Sequence, residues 1–208
     1  MNQQLTLYHC PHSRSTGVLT LLEELHAPYE LQVMNMKQGE NREAAYLAVN
    51  PMGKVPAIRH GDAVVTEQVA IYLYLADLFP NAKLAPPLGD PLRGPYLRWM
   101  AFYGSCFEPA VVDQWMQNKP ADKTACHYGD FDTMFNTLIA QLSPGPYLLG
   151  EQFTALDVLW ATAFEWMGYF ELLPKLSVIE RYVARVNGRP SAVAAREKDA
   201  AIAAQQAA

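Results

Sequence analysis

Apolar and polar positions change period several times along the first third of the chain. Leu5 and Leu7 alternate with polar neighbours as a short strand, and Val18, Leu19, Leu22 and Leu25 then recur at helical spacing. Tyr29, Leu31 and Val33 alternate again, which predicts a second strand and a β-α-β unit with a right-handed crossover. The less regular stretch 37–49 accommodates a short helix. Val55, Ala57 and Ile58 and then Val64 and Val65 flank a turn at Gly61-Asp62, the pattern of a hairpin. Thr66 reads as the N-cap of a helix whose apolar faces come from Val69, Ile71, Leu73, Leu75 and Leu78 and which stops at Phe79-Pro80. The order is βαβαββα over residues 1–80.

Residues 81–95 hold Pro86, Pro87, Pro91, Pro95, Gly89 and Gly94, the composition of a semi-rigid linker. Beyond it no strand pattern remains. Helices are predicted over 96–115, kinked near Gly104 and Pro109, and over 123–142, 155–167, 176–187 and 191–203, so that 96–208 forms an all-α domain. Thr154 and Asp157 have the spacing of a capping box, with Phe153 and Val158 at the staple positions. The helix behind them is apolar nearly all round, as in a buried helix. The tail from Ala192 is rich in alanine, which favours a helix but offers little core and a fraying end.

The chain has 208 residues, half of them hydrophobic, enough for one good core or two small ones. Its formal charge of −5 is spread without basic clusters, which argues against nucleic acid and acidic membrane as partners. No apolar run reaches the ~18 residues of a membrane span. Three scattered cysteines give no disulfide framework, and the opening residues lack a basic region followed by an apolar one, so a reducing cytoplasm is expected.

Chemistry concentrates at two junctions. At Val55-Pro56, proline enters the hairpin strand without an amide to donate, a position suited to a cis peptide, and the Val55 main chain is left for a ligand. The helix start at Glu67-Gln68 combines free amides with a carboxylate, a pairing that suits an α-amino acid head group; Glu67 could equally just complement the helix dipole. The second junction is the loop His9-Cys10-Pro11-His12-Ser13-Arg14-Ser15 between the first strand and helix. Ser13 and Ser15 are candidate N-caps, and a thiol or hydroxyl here is acidified by the helix dipole and Arg14. Cys10 is either a redox thiol or a small buried hydrophobe. His9, Cys10 and His12 lack a second half of a ligand set, so no metal is expected.

Gly-Lys-Val-Pro at 53–56, followed by Thr-Glu-Gln-x-Ala-Ile-x-x-Tyr-Leu at 66–75, resembles the glutathione-binding half of the glutathione S-transferase family. The resemblance implies a thioredoxin-like α/β N-terminal domain, an all-α C-terminal domain in which the capping box marks a buried helix, a homodimer, and glutathione as co-substrate. Carried over, the γ-glutamyl end lies on Glu67 and Gln68, where the family usually has an acidic residue and serine. The cysteinyl main chain pairs with Val55 before Pro56, and Lys54 lies near the glycyl carboxylate; Lys37 and Arg42 read first as solvated surface charge, with reach to that carboxylate as the alternative. The family donates a hydrogen bond from Tyr, Ser or Cys to the glutathione sulfur. Gap-free counting from Leu22 places that position at His12; Ser13, next to it, is the first choice, with His12, Ser15 and Cys10 as alternatives. Tyr103 and Phe107, in an aromatic-rich helix most of whose rings read as core and a dimer seam, are candidates to line the pocket of a small hydrophobic electrophile. Cys10-Pro11-His12-Ser13 also resembles the Cys-Pro-x-Ser of monothiol glutaredoxins, which leaves a disulfide reductase or isomerase as one alternative and a non-catalytic binding protein on the same fold as another.

Overall fold

The structure is a computed structural model that describes residues 4–119 and 122–207. The opening residues 1–3, part of the stretch read for a leader, lie outside the described residues. By internal packing the chain divides into two units, residues up to 82 together with those from 188 onward, and Lys83–Asn187.

In the first unit the strands are β1 (Leu5–His9), β2 (Glu30–Val33), β3 (Ala57–His60) and β4 (Ala63–Val65), in the sheet order β2-β1-β3-β4. β1 and β2 are parallel, with α1 (Ser15–Glu24) between them in sequence; β1/β3 and β3/β4 are antiparallel. Short 3-10 turns and α2 (Ala44–Leu47) fill the irregular stretch before β3, and α3 (Gln68–Leu78) follows β4. This is the βαβαββα order that the alternation implies. Leu7, Val18, Leu22, Ile58, Ile71 and Leu75 are fully buried, so the apolar faces read from the sequence form the core.

The start of α3 differs from expectation. The helix begins at Gln68, and the residue flanking it is Glu67 rather than Thr66, with φ 63° and no side-chain cap. A non-glycine residue in the positive-φ region is strained, so the surrounding loop must hold it there.

The last helix, α9 (Pro190–Ala207), also departs from the sequence reading. The predicted all-α stretch 96–208 includes it, yet it packs in the first unit, against α1. Ala192, Ala195 and Asp199 recur on one face and are buried. Small side chains let two helix backbones approach closely, so an alanine stripe that looks too poor for a core serves as a close-packed seam. The helix continues to Ala207, past the end predicted at 203. Arg189 and Lys198 pair with Glu24 and Glu23 on α1.

The second unit is helical: α4 (Arg93–Phe102), a π-helical turn (Tyr103–Phe107), α5 (Glu108–Trp115), α6 (Phe131–Leu142), α7 (Ala155–Tyr169) and α8 (Ser177–Asn187). The kink expected near Gly104 and Pro109 is this π turn, with Pro109 in the first turn of α5, where its missing amide costs nothing. α6 starts later than predicted because Asp130 caps it, accepting the Thr133 amide at 2.8 Å. At α7 the Asp157 carboxylate reaches back to the Thr154 amide at 2.8 Å, as the capping-box spacing expects. Trp160 on α7 is fully buried within a cluster of Trp99, Tyr103, Phe107 and Phe164. Among the described residues no helix is long and apolar enough to cross a membrane.

Candidate functional site

Strand register gathers the two chemical junctions at one end of the sheet. Tyr8 near the end of β1 pairs with Ala57 at the start of β3, so the loop after β1 and the Val55-Pro56 peptide share an edge. Val65 at the end of β4 pairs with Ile58, which returns the chain to that same edge for Thr66, Glu67 and Gln68. Loops converging at strand ends are where an α/β layer makes a ligand site.

The Val55-Pro56 peptide is cis. Val55 is half-buried and outside the ladder, whose first residue on β3 is Ala57. The turn in front of it is braced from below. The Lys54 carbonyl accepts from the Tyr46 hydroxyl at 2.6 Å and from Asn50 Nδ2 at 2.8 Å, and Asn41 Nδ2 donates to the Gly53 carbonyl at 2.8 Å. Burial pushes the Tyr46 phenol up to about 12, so it keeps its proton for that bond. The Lys54 side chain is exposed, as are Glu67 and Lys37, while Gln68 is half-buried. Arg42 donates to the Met52 carbonyl at 3.3 Å and so props the same loop.

In the β1–α1 loop the hydroxyls of Ser13 and Ser15 lie 2.8 Å apart. Ser13 Oγ is half-buried, 2.7 Å from the Cys10 carbonyl, and accepts the Ser15 amide at 3.1 Å. Ser15 is the first helical residue and fully buried; its Oγ lies 2.9 Å from His9 Nδ1 and accepts the Cys10 amide at 3.1 Å. Thus Ser13 has the hydroxyl nearer the surface and Ser15 the one behind it. The Cys10 thiol faces the Pro11 carbonyl at 3.6 Å. His12, at φ 55°, turns its ring outward with 74% of the side chain exposed, so the register that put the sulfur contact on it does not bring it to the hydroxyl pair.

Asp199 is a candidate site residue that sequence reasoning misses, and for His9 the sequence offers only a metal-ligand reading. His9 is fully buried, and its Nε2 stands 3.2 Å from Asp199 Oδ1, within ion-pair reach though too bent for a linear hydrogen bond. The same carboxylate accepts from Thr16 Oγ1 at 2.7 Å and from the His12 amide at 3.2 Å. Burial works to raise the Asp199 carboxyl, but the contacts from His9, Thr16 and His12 outweigh it and hold it below the usual carboxylate range. No local signal could have found Asp199, which reaches Thr16 across 183 positions from an alanine-rich tail.

Tyr103 and Phe107, the residues expected to line a second-substrate pocket, are 2% and 0% exposed. Their rings pack on Trp160 at 5.3 and 4.8 Å, so both belong to the helical core and present no free face to a ligand. Among the described residues no group of three His, Cys, Asp or Glu side chains is arranged to hold a metal ion.

Residues 3–77 match the family described as "Glutathione S-transferase, N-terminal domain" and residues 109–185 match "Glutathione S-transferase, C-terminal domain". Glutathione S-transferase PARB of Nicotiana tabacum is 27% identical, over 93% of this chain and 98% of that protein. GstA of Escherichia coli O157:H7 is 25% identical, over 89% and 94%. A glutathione transferase from Methylococcus capsulatus superposes with a TM-score of 0.76 at 28% identity, covering 94% of this chain and 98% of that one. A Sulfitobacter glutathione transferase homologue solved with bound glutathione does so with a TM-score of 0.75 at 26% identity, covering 95% and 99%. With both domains matched in order and the cis Val55-Pro56 peptide, the Glu67 helix start and the Ser13 loop gathered at one sheet edge, the chain belongs to the glutathione S-transferase family.

Proposed function

We propose that this protein is a glutathione transferase in which the Ser13 hydroxyl stabilises the thiolate of bound glutathione for attack on a small apolar electrophile. The observation that carries this reading is the half-buried Ser13 Oγ at the sheet edge it shares with Val55-Pro56 and the start of α3. Glutathione lies extended along that edge. Its γ-glutamyl ammonium meets Glu67, its α-carboxylate meets the α3 amides and Gln68, and its cysteinyl main chain pairs with Val55 beside Pro56. The glycyl carboxylate reaches Lys54. Bound glutathione in the Sulfitobacter homologue supports this choice of co-substrate.

Ser13 Oγ accepts the Ser15 amide and donates to the Cys10 carbonyl at 2.7 Å; the role requires that single proton to turn from the carbonyl to an arriving sulfur. A charge-assisted hydrogen bond of that kind favours thiolate over thiol. The enzyme's work is then to lower the thiol pKa and position the sulfur. Cys10 is a weaker donor for the role, because its thiol already faces the Pro11 carbonyl at 3.6 Å. A homodimer in the cytoplasm completes the reading.

The test is the ultraviolet absorbance of bound glutathione thiolate across pH, in the native protein and in Ser13→Ala. A bound thiol pKa below that of free glutathione, restored upward by the substitution, is the expected result. An unchanged pKa in Ser13→Ala removes Ser13 from the role, and absence of glutathione binding leaves a non-catalytic binding protein on this fold.

A further inference from the structure

We propose that His9, held by Asp199 and reached through Ser15 and Ser13, is the buried acceptor of the thiol proton of bound glutathione. The proposal rests on the reading of Ser13 given above and supplies what that reading lacks, a destination for the proton.

The hydrogen inventory of the cluster is determined by its ends. The Asp199 carboxylate has no proton to donate, and it accepts from the Thr16 hydroxyl and the His12 amide. His9 Nε2 beside it therefore carries hydrogen, which leaves Nδ1 of the neutral ring as an acceptor toward Ser15 Oγ at 2.9 Å. With glutathione bound, Ser15 turns its single proton from the Cys10 carbonyl to Nδ1, and its oxygen receives the Cys10 amide and the Ser13 hydroxyl. Ser13 Oγ receives the Ser15 amide and keeps one lone pair, which an arriving S–H group can use. Before a ligand arrives, the Cys10 carbonyl, 2.7 Å from Ser13 Oγ and 3.0 Å from Ser15 Oγ, is a competing resting place for either proton.

Transfer then needs no movement of heavy atoms. The thiol proton passes to Ser13 Oγ, the Ser13 proton passes to Ser15 Oγ, and the Ser15 proton passes to His9 Nδ1. The S–H bond and two O–H bonds break; two O–H bonds and one N–H bond form. Sulfur keeps its electron pair, and His9 becomes an imidazolium facing the Asp199 carboxylate. Every hydroxyl now points the other way, so that Nδ1–H donates to Ser15, Ser15 to Ser13, and Ser13 to the thiolate.

The position of His9 suits this role, because solvent has no direct access to the ring and the Asp199 carboxylate stands 3.2 Å from its Nε2. The ionisable groups bearing on His9 through these contacts are Asp199 from α9 and, across that carboxylate, His12 from the loop, whose Nδ1 is 3.5 Å from Oδ2. His9 and Asp199 are positioning residues here, since both act on sulfur only through the two serines.

The experiment is nuclear magnetic resonance of isotope-labelled histidine in the full chain, with glutathione and with S-methylglutathione, which has no thiol proton. Calorimetry in two buffers of different ionisation enthalpy counts protons released on binding. The expected result is that glutathione converts His9 to imidazolium with no proton released, while S-methylglutathione binds and leaves His9 neutral. Ser15→Ala keeps Ser13 but cuts the chain; bound thiolate near neutral pH should fall about tenfold, equivalent to one pKa unit, and Ser15→Thr should restore it. Thiolate formation with one proton released and His9 still neutral overturns the proposal. The native-protein measurement decides even where Ser15→Ala does not fold. Absence of binding by both ligands overturns the underlying reading as well and is told apart by the missing heat.

Discussion

The guanidinium of Arg189 holds the carboxylate of Glu24 through two parallel hydrogen bonds, Nε to Oε1 at 2.7 Å and Nη2 to Oε2 at 2.8 Å. The pair ties the residue in front of α9 to α1 and so secures the helix that delivers Asp199. Glu24 is buried, whereas Arg189 is one-third exposed. Removing the cation therefore strands a buried carboxylate. We expect Arg189→Ala to cost about 2 kcal/mol, below the usual figure for a fully buried pair because water reaches the arginine side. Glu24→Gln, which leaves no buried charge, should cost about half as much. Urea unfolding midpoints at neutral pH measure both, and equal losses would contradict this account.

Ser13→Ala should raise the bound thiol pKa by about 1 to 2 units, the equivalent of losing one hydrogen bond to a charged acceptor. Turnover with an aryl halide below that pKa falls in proportion, while the glutathione dissociation constant changes little. Cys10→Ser should leave both quantities as they are. Loss of turnover in Cys10→Ser with Ser13→Ala unaffected would instead support the disulfide-exchange alternative.

Asp157 meets four donors. Its Oδ1 accepts the Leu148 amide and the Tyr182 hydroxyl, both at 2.8 Å, and its Oδ2 accepts the Thr154 amide at 2.8 Å and the Thr154 hydroxyl at 3.2 Å. Asp157→Asn turns one acceptor into a donor that faces donors, and we expect a loss of about 3 kcal/mol by denaturant titration. Burial pushes this carboxyl up to about 6 against the pull of those hydrogen bonds. The folded state thus binds the proton more tightly than the unfolded state. This group's contribution is full below the unfolded value and declines as pH rises through about 6. A stability profile of Asp157→Asn should lack that decline.

Asp199 works with the opposite sign. Its folded pKa is depressed, so its contribution is present above the unfolded value near ~3.9 and is lost as pH falls through the folded one. Asp199→Asn should flatten the acid limb of the stability curve while lowering stability at neutral pH. An acid limb with unchanged slope would show that the carboxylate is not ionised in the folded protein.

Gly53 has φ +60°, and a Cβ there would lie 2.8 Å from the Asn41 carbonyl oxygen. The Arg42 guanidinium, also at 2.8 Å, can swing aside, but the backbone oxygen cannot. Gly53→Ala should cost about 2 kcal/mol and weaken glutathione binding, because the same turn carries Lys54 and Val55. Thermal shift with and without glutathione separates the two effects.

What the sequence determined by itself was whatever depends on neighbours along the chain. Alternation at Leu5 and Leu7, helical recurrence from Val18 to Leu25, the Val55-Pro56 entry to β3 and the Thr154–Asp157 spacing each describe groups that meet within one element or turn. The residues proposed to bind glutathione are legible for the same reason, since Lys54 to Pro56 and Glu67-Gln68 are short contiguous segments. Even there, the loss of one residue of register between Thr66 and Glu67 at the head of α3 needed the positive φ to be seen. Only the tertiary structure decided which elements touch. It turned Tyr103 and Phe107 onto Trp160, and it made a seam from Ala192, Ala195 and Asp199, a stripe without the hydrophobic weight that sequence periodicity registers. It also joined Arg189 to Glu24 across 165 positions and Asp199 to Thr16 across 183. Local conformational preference acts over a turn or two, whereas partners so far apart are selected by shape, burial and the pairing of charge once the chain has packed.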